Sequence, residues 1–410
     1  MSTRGFYPDV FPGTRIDFSN RLVVPSPVEF DRATSATYVD KDGVVKIAYP
    51  SEPRFSYDPE TGESLGLLLE ESRTNQIVNS QVFTSGYNQS GLNSITQSTS
   101  ITTPQGLTDG VGVITESVGG TVHQVYTDST TQVTGYLTYS VFVKPNGRNY
   151  CVLCTSSFTH DLINGTTLGS ASGEFVSATT VPFPNGWVRC TLTRNHSNTF
   201  DQFNLKLATG LNSTSYSGDG TSGVYIWGAQ REAGTFPTSY IPTSGSTETR
   251  AADEASITGT NFTSFFNASA STLYTDYTIN DGNSFFTRFP ATINNGTSNN
   301  FYLRPQHRPN AAFARVESIH TVTTGIKDID HSKLKRNKLA AFVVEGSEIG
   351  GALNGSLEKI GGADPEGVSY AQTQLSIGQI PFTSPYQLHI SRLTYWPKRL
   401  PDIELQQLTK

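Results

Sequence analysis

The segment Leu137-Thr138-Tyr139-Ser140-Val141-Phe142-Val143-Lys144 alternates apolar with polar side chains and then meets Pro145-Asn146-Gly147. A period of two places alternate side chains on opposite faces of an extended strand, and Pro, Asn and Gly supply the dihedrals of the turn that ends it. The same grammar recurs along the chain. Phe183-Pro184-Asn185-Gly186 leads into Trp187 to Thr193, and Phe203 to Leu207 and Val224 to Trp227 follow. With no helical stripe between such runs, the core must close by stacking sheets, which predicts an all-β protein of sandwich or jelly-roll type. Composition agrees: Ser, Thr and Asn make up 120 of the 410 residues, beside 37 Gly, 21 Pro and one Met, a mixture poor in helix formers. One short helix is expected after Pro401 and Asp402, with Ile403, Leu405 and Leu408 sharing a stripe and acids at the positive end.

Charge removes several functions. Lys plus Arg is 29 against 35 Asp plus Glu, a net charge of -6, whereas neutralising phosphates needs a basic excess, so nucleic acid is not an expected partner. No apolar run approaches the roughly 18 residues that cross a bilayer, and MSTRGFYPDVFPG lacks the basic start and apolar stretch of a secretory signal. No membrane insertion is expected, and the reading is of a soluble chain made in a cytosol. Three cysteines in this length cannot form a disulfide framework.

Four segments are expected. Residues 1–30 carry Pro8, Pro12, Pro25 and Pro27, which block helix and interrupt sheet pairing, and so read as an extended arm. Phe6, Tyr7, Phe11, Ile16, Phe18 and Leu22 make that arm apolar, so it is expected to dock on another subunit or a larger particle; the alternative is that it folds back as an edge strand on its own chain's jelly roll. Residues 31–75 read as one small unit of two hairpins, closed by Asp40-Lys41-Asp42-Gly43 and Asp58-Pro59-Glu60-Thr61-Gly62. Residues 76–249 read as the first sandwich and 250–410 as the second, with a cleavable boundary after the Pro-, Ser- and Thr-rich stretch Phe236 to Gly245. No repeat of 20 to 50 residues is present, which disfavours a propeller or solenoid.

Chemistry-bearing motifs are sparse. Cys151 and Cys154 form a CxxC with His160 and Cys190 as further candidate zinc ligands, but side chains three apart on a strand face opposite ways, so buried thiols are the expectation. Asp328-Ile329-Asp330-His331 is the nearest carboxylate pair for glycoside hydrolysis, yet Lys327, Lys333, Lys335 and Arg336 surround it as in a solvated loop. No catalytic residues are therefore assigned, and the chain is not expected to be an enzyme or to hold a cofactor. Trp187 and Trp227 sit in alternating strands and read as core. Exposed sugar-binding candidates are Tyr216 with Asp219 in Ser217-Gly218-Asp219-Gly220, and a loop carrying Tyr302, Arg304, Gln306 and His307. Asp219 or Asp281-Gly282-Asn283 could also help to hold a structural Ca2+ through oxygen ligands.

The segment Arg32 to Asn75 resembles a cassette found near the start of tail-fibre and other virion appendage proteins of tailed bacteriophages. Arg-Ala-Thr-Ser-Ala-Thr, Pro-Arg-Phe, Asp-Pro-x-Thr-Gly, Gly-Leu-Leu-Leu-Glu-Glu and Arg-Thr-Asn occur here in one order. Val141 to Lys144, Asn185-Gly186-Trp187-Val188-Arg189 and Tyr225-Ile226-Trp227-Gly228-Ala229-Gln230 are similar to phage versions of carbohydrate-binding jelly rolls. Ile390 to Leu400 is similar to the end of laminin-G or concanavalin-like sandwiches. The resemblance implies a virion structural protein on the surface or tail of a phage, assembled in the bacterial host's cytoplasm, commonly a homotrimer, with other virion proteins and host-surface polysaccharide as partners. A capsid-decoration, head-fibre or tail-assembly part without glycan binding and a polysaccharide depolymerase are the alternatives. Many tail fibres have a longer particle-anchoring domain and a shaft, whereas here the cassette starts within about 30 residues of Met1, so either the arm is the anchor or the chain is a short accessory appendage.

Overall fold

The computed structural model describes Pro8 and residues 11–128, 132–154, 158–279, 289–296, 301–308, 313–318, 321–327, 336–344, 348–361, 372–378 and 387–410, with backbone alone over 301–327 apart from Leu303 and at 358, 360 and 361. The protein is all-β, 54% strand and 5% helix, in antiparallel sheets.

The first sandwich faces a six-stranded sheet, ordered Phe175–Phe183, Trp187–Phe200, Gln132–Asn146, Gly223–Ala233, Val111–Glu116 and Leu92–Ser98, against a second. The second runs Thr166–Gly169, Phe158–Asp161, Tyr150–Leu153, Asn204–Ala208, Gln124–Tyr126 and Asn88–Ser90. Alternation decides what lies between them. Leu137, Tyr139, Val141 and Val143 point into a core shared with Cys190, Leu192, Cys151, Leu153, Leu205 and Leu207. The opposite face is covered too: Phe142, Trp187 and Trp227 pack with Tyr240, Val111 and Val45, Val45 belonging to the two-stranded Ala36–Val39/Val45–Ala48 hairpin.

The second sandwich takes strands from both ends of the chain. One sheet runs Ser356–Gly361, Glu348–Leu353, Arg336–Val344, Ala270–Thr278, Leu388–Trp396, Ser64–Leu69 and Phe55–Tyr57, and Thr14–Asp17 also pairs with Leu388–Trp396. The other runs Glu29–Asp31, Glu254–Thr258, Gln374–Ile377, Ala291–Asn294, Phe301–Arg308, Phe313–Ser318 and Thr321–Lys327. Residues 31–75 are thus not one separate unit: the Phe55–Tyr57/Ser64–Leu69 hairpin is part of this sandwich, while the hairpin before it packs on the first. At Gly66 (φ +91) a Cβ would lie 2.1 Å from the Ile390 carbonyl oxygen, so only glycine fits this close approach of strands.

The arm expectation is corrected in its middle portion. Ile16 pairs in register with Leu393, and Ile16 and Phe18 are buried in the second sandwich's own core, not on another subunit and not on the jelly roll. The prolines bracket this stretch and leave Thr14–Asp17 free to donate its amides to a sheet edge. Phe11 and Leu22 flank it and are 92% and 91% exposed, while Phe6 and Tyr7 lie outside the described residues. On either side of the exposed residues 244–249 the chain is packed: Phe236, Tyr240 and Ile241 are buried, and Glu248–Arg250 pairs with Arg73–Asn75. The C-terminal helix, Asp402–Leu408, buries Leu405 and Leu408 against Trp396, Phe342 and Tyr274. Ile403 is exposed, because two residues turn a helix through roughly 200° and carry it off that stripe.

Candidate binding cleft between the two sandwiches

Cassette residues build the joint on which the two sandwiches meet. Arg54 Nη1 donates to Glu70 Oε2 at 2.7 Å, Arg250 Nη1 reaches the same oxygen at 2.7 Å, and Arg32 Nη1 reaches Asp253 Oδ1 at 3.1 Å. Arg54 Nη2 also pairs with Asp253. Glu70 Oε1 accepts from the Ser239 amide at 2.8 Å and from Gln387 Nε2 at 3.0 Å, which ties the segment after the first sandwich to the edge of the second. Burial opposes the Glu70 charge, but Arg250, Arg54 and the Ser239 hydrogen bonds outweigh it and hold the carboxyl far below the usual carboxylate range. Arg32 is lowered too, by burial first and then by the neighbouring Arg54, which in its case disfavours the charged form.

Beside this joint lies a cleft of about 180 Å³, lined on one side by Ser56, Leu65, Leu68, Gln387 and His389 and on the other by Thr179, Val181, Phe183, Arg189 and Thr191. Tyr38, Tyr57 and the Asp58-Pro59 turn complete it. The outer face of each sandwich supplies one wall, since Val181 pairs with Arg189 in one sheet and Leu68 with His389 in the other. Tyr38, Tyr57 and Phe183 are half-buried, leaving ring surface open.

Two polar groups in this lining are incompletely satisfied. Arg189 donates from Nη2 to Ser140 Oγ at 3.0 Å and to the Thr238 carbonyl at 2.7 Å, but its buried Nε has no partner and it makes no ion pair among the described residues. Burial lowers its pKa, with Glu232 and Glu70 acting against the shift. His389 is 3% exposed, its Nδ1 has no partner, and burial pushes its pKa down to about 4, so the ring is neutral near pH 7. Buried polar atoms are ordinarily hydrogen-bonded, so these two are exceptions within the lining.

The residues singled out from sequence fare differently. Tyr216 and Asp219 do come together, around the fully buried Glu116. Tyr216 Oη donates to Glu116 Oε2 at 2.8 Å, and Arg148 donates to both Glu116 oxygens and, at 3.2 Å, to Asp219. Asp219 Oδ1 takes the Thr221 and Ser222 amides at 2.8 and 2.7 Å, and Oδ2 the Ser222 hydroxyl at 2.7 Å. These groups are engaged with one another in closing a turn. Tyr302, Arg304, Gln306 and His307 lie in the Phe301–Arg308 strand, not in a loop, and their side chains lie outside the described residues. Asp281 to Asn283 and Asp328 to His331 also lie outside them. Among the described residues no group of three or more His, Cys, Asp or Glu is placed to hold a metal ion.

Cys151, Cys154 and Cys190 are free, buried thiols, with the Cys151 and Cys190 sulfurs 3.9 Å apart between the two sheets. Cys154 joins the same core because the strand ends at Leu153 and Cys154 turns to φ 52. The cleft residues Arg189 and His389 were missed. The available signal was a charged or ionisable residue at an outward position of a strand otherwise apolar on both faces, as in Trp187-Val188-Arg189 and Leu388-His389-Ile390.

No family model matches the chain. No curated protein sequence matches it. Among solved structures, the CBM40 module of a Ruminococcus gnavus IT-sialidase bound to α2,3-sialyllactose is 18% identical with a TM-score of 0.29, covering 35% of this chain and 84% of that one. The receptor-binding domain of botulinum neurotoxin mosaic serotype C/D is 12% identical with a TM-score of 0.27, covering 38% of each chain. The binding domain of botulinum neurotoxin DC in complex with rat synaptotagmin II is 12% identical with a TM-score of 0.30, covering 38% of this chain and 39% of that one. The chain therefore spans under half the length of these toxin domains, and overlaps of this extent assign no ligand to it.

Proposed function

We propose that this chain is a non-enzymatic, glycan-binding protein of a phage particle, a tail fibre or another appendage, whose sugar site is the cleft between the sandwiches. The observation that carries the glycan reading is the pairing of half-open aromatic rings, Tyr38, Tyr57 and Phe183, with the polar groups of Arg189, His389, Gln387 and Ser239 in one recess. A sugar ring offers C–H faces to aromatic surface and hydroxyls to amides, hydroxyls and guanidinium groups, so a recess needs both kinds of lining. The cassette from Arg32 to Asn75 supports the virion setting, on the surface or tail of a particle assembled in the bacterial cytoplasm. Its partners in this reading are copies of itself in a homotrimer, other virion proteins and the polysaccharide of the host surface.

Incubating the purified protein with host-surface polysaccharide tests this reading. Retention of intact polysaccharide is expected. Release of oligosaccharides would make the chain a depolymerase, and absence of retention would remove the glycan function. Cryo-EM of particles carrying a labelled copy tests the virion placement; particles without the label would overturn it.

A further inference from the structure

Arg189 is a half-buried cleft residue whose Nε is buried, and among the described residues no carboxylate is paired with its guanidinium. The neighbouring joint sharpens the point: Arg32, Arg54 and Arg250 are paired among Glu70 and Asp253, whereas Glu232, the further acid near Arg189, accepts from Gln230 at 2.7 Å and from the Thr238 amide and hydroxyl at 2.9 and 2.7 Å. Four guanidinium groups thus stand against three carboxylates, and the one without an ion pair is the one that lines the cleft. A partly buried cation without a counter-ion is costly, and a charge-assisted hydrogen bond donated to a bound anion offsets that cost where a neutral ligand would not. His389, with Nδ1 unpartnered in the same recess, offers a second donor when its proton sits on that nitrogen.

We propose that the cleft binds a carboxylate-bearing sugar of the hexuronic acid class, with the carboxylate received by Arg189 and His389 and the ring lying against Tyr57 and Tyr38. The assignment rests on the glycan reading above and deepens it. Asp58, at the margin of the recess, has Oδ1 engaged by the Glu60 and Thr61 amides at 3.0 Å each, which places this negative charge in its own turn.

Isothermal titration of the full chain with methyl β-D-glucuronide, its methyl ester and methyl β-D-glucoside tests the proposal. The glucuronide is expected to bind about tenfold or more tightly than either neutral analogue, the margin of a hydrogen bond to a charged group over none. Arg189→Gln should remove that preference. Tyr57→Ala, at a half-open position, should weaken all three ligands together, and thermal melts of both variants establish that they are folded. Equal affinity for glucuronide and glucoside, or an Arg189→Gln protein that keeps the preference, would overturn the acidic-sugar assignment while leaving the glycan reading in place. Failure of all three ligands in a protein that still retains host polysaccharide would overturn the cleft as the site. Failure of both would overturn the glycan reading itself.

Discussion

Arg54 and Glu70 meet at 2.7 Å with both side chains fully buried, at the joint where the two sandwiches meet. Removing one member of a buried pair leaves the other charged and desolvated, at a cost of about 3–5 kcal/mol. Glu70→Gln and Arg54→Met should each lower stability by that order in urea denaturation. A change below about 1 kcal/mol would show that the joint is wetter than its burial indicates.

The buried stretch of the arm makes a second prediction. Ile16→Ala should cost about 2–5 kcal/mol and Phe18→Ala about 3–5 kcal/mol, since each leaves a cavity in the second core. Both variants should keep the parent protein's mass in light scattering while losing stability, because these side chains dock within their own chain. A smaller assembly for the variants would return them to an intersubunit role.

Acid should destabilise the fold in a defined window. Burial pushes His160 and His389 down to about 4 from an ordinary 6.5. Between those values the unfolded chain takes up protons that the folded chain refuses, so stability is complete above about 6.5 and falls as pH drops toward 4. Each histidine contributes at most about 1.4 kcal/mol per pH unit. Glu70, held far below its usual range, adds its own loss below about 4.5, where the unfolded carboxyl is protonated first. Urea midpoints measured from pH 7 to 4 should decline, and His389→Gln should flatten part of the slope; a flat profile in the parent protein would contradict the burial of both rings.

Protease nicking should separate covalent from structural boundaries. Residues 244–249 are exposed between buried Thr243 and Arg250. Cleavage there should leave two pieces that elute together on a sizing column, because strands before residue 75 belong to the sandwich that follows residue 250. Pieces that part without denaturant would refute the shared sandwich.

The β class was legible because the period of two in Leu137 to Lys144 is a local property, and Tyr139 and Val141 fall in the core as it requires. The pattern could not show what covers the other face, so Phe142 and Tyr240 meeting across 98 positions as part of a second apolar layer was out of reach. The joint has the same character. Arg54 lies 16 residues from Glu70 but 199 from Asp253, and no periodicity connects such positions. Tyr216 and Asp219 lie together, yet the group they meet on, Glu116, lies about a hundred residues earlier, a contact that no local pattern shows.

Ser391 donates its hydroxyl to the Leu65 carbonyl across 326 residues, and the whole first sandwich lies between the two. On a ribosome, that sandwich can complete all its sheets while Leu67, Leu68 and Leu69 still lack the strand that will cover them. Assembly therefore has a direction: the inserted unit closes first, and the outer one closes around it when Leu388–Trp396 emerges. Such late, distant pairing is slow and leaves an apolar edge open to other chains, so yield from a cell should depend on holding the early strands apart more than on the stability of the finished protein.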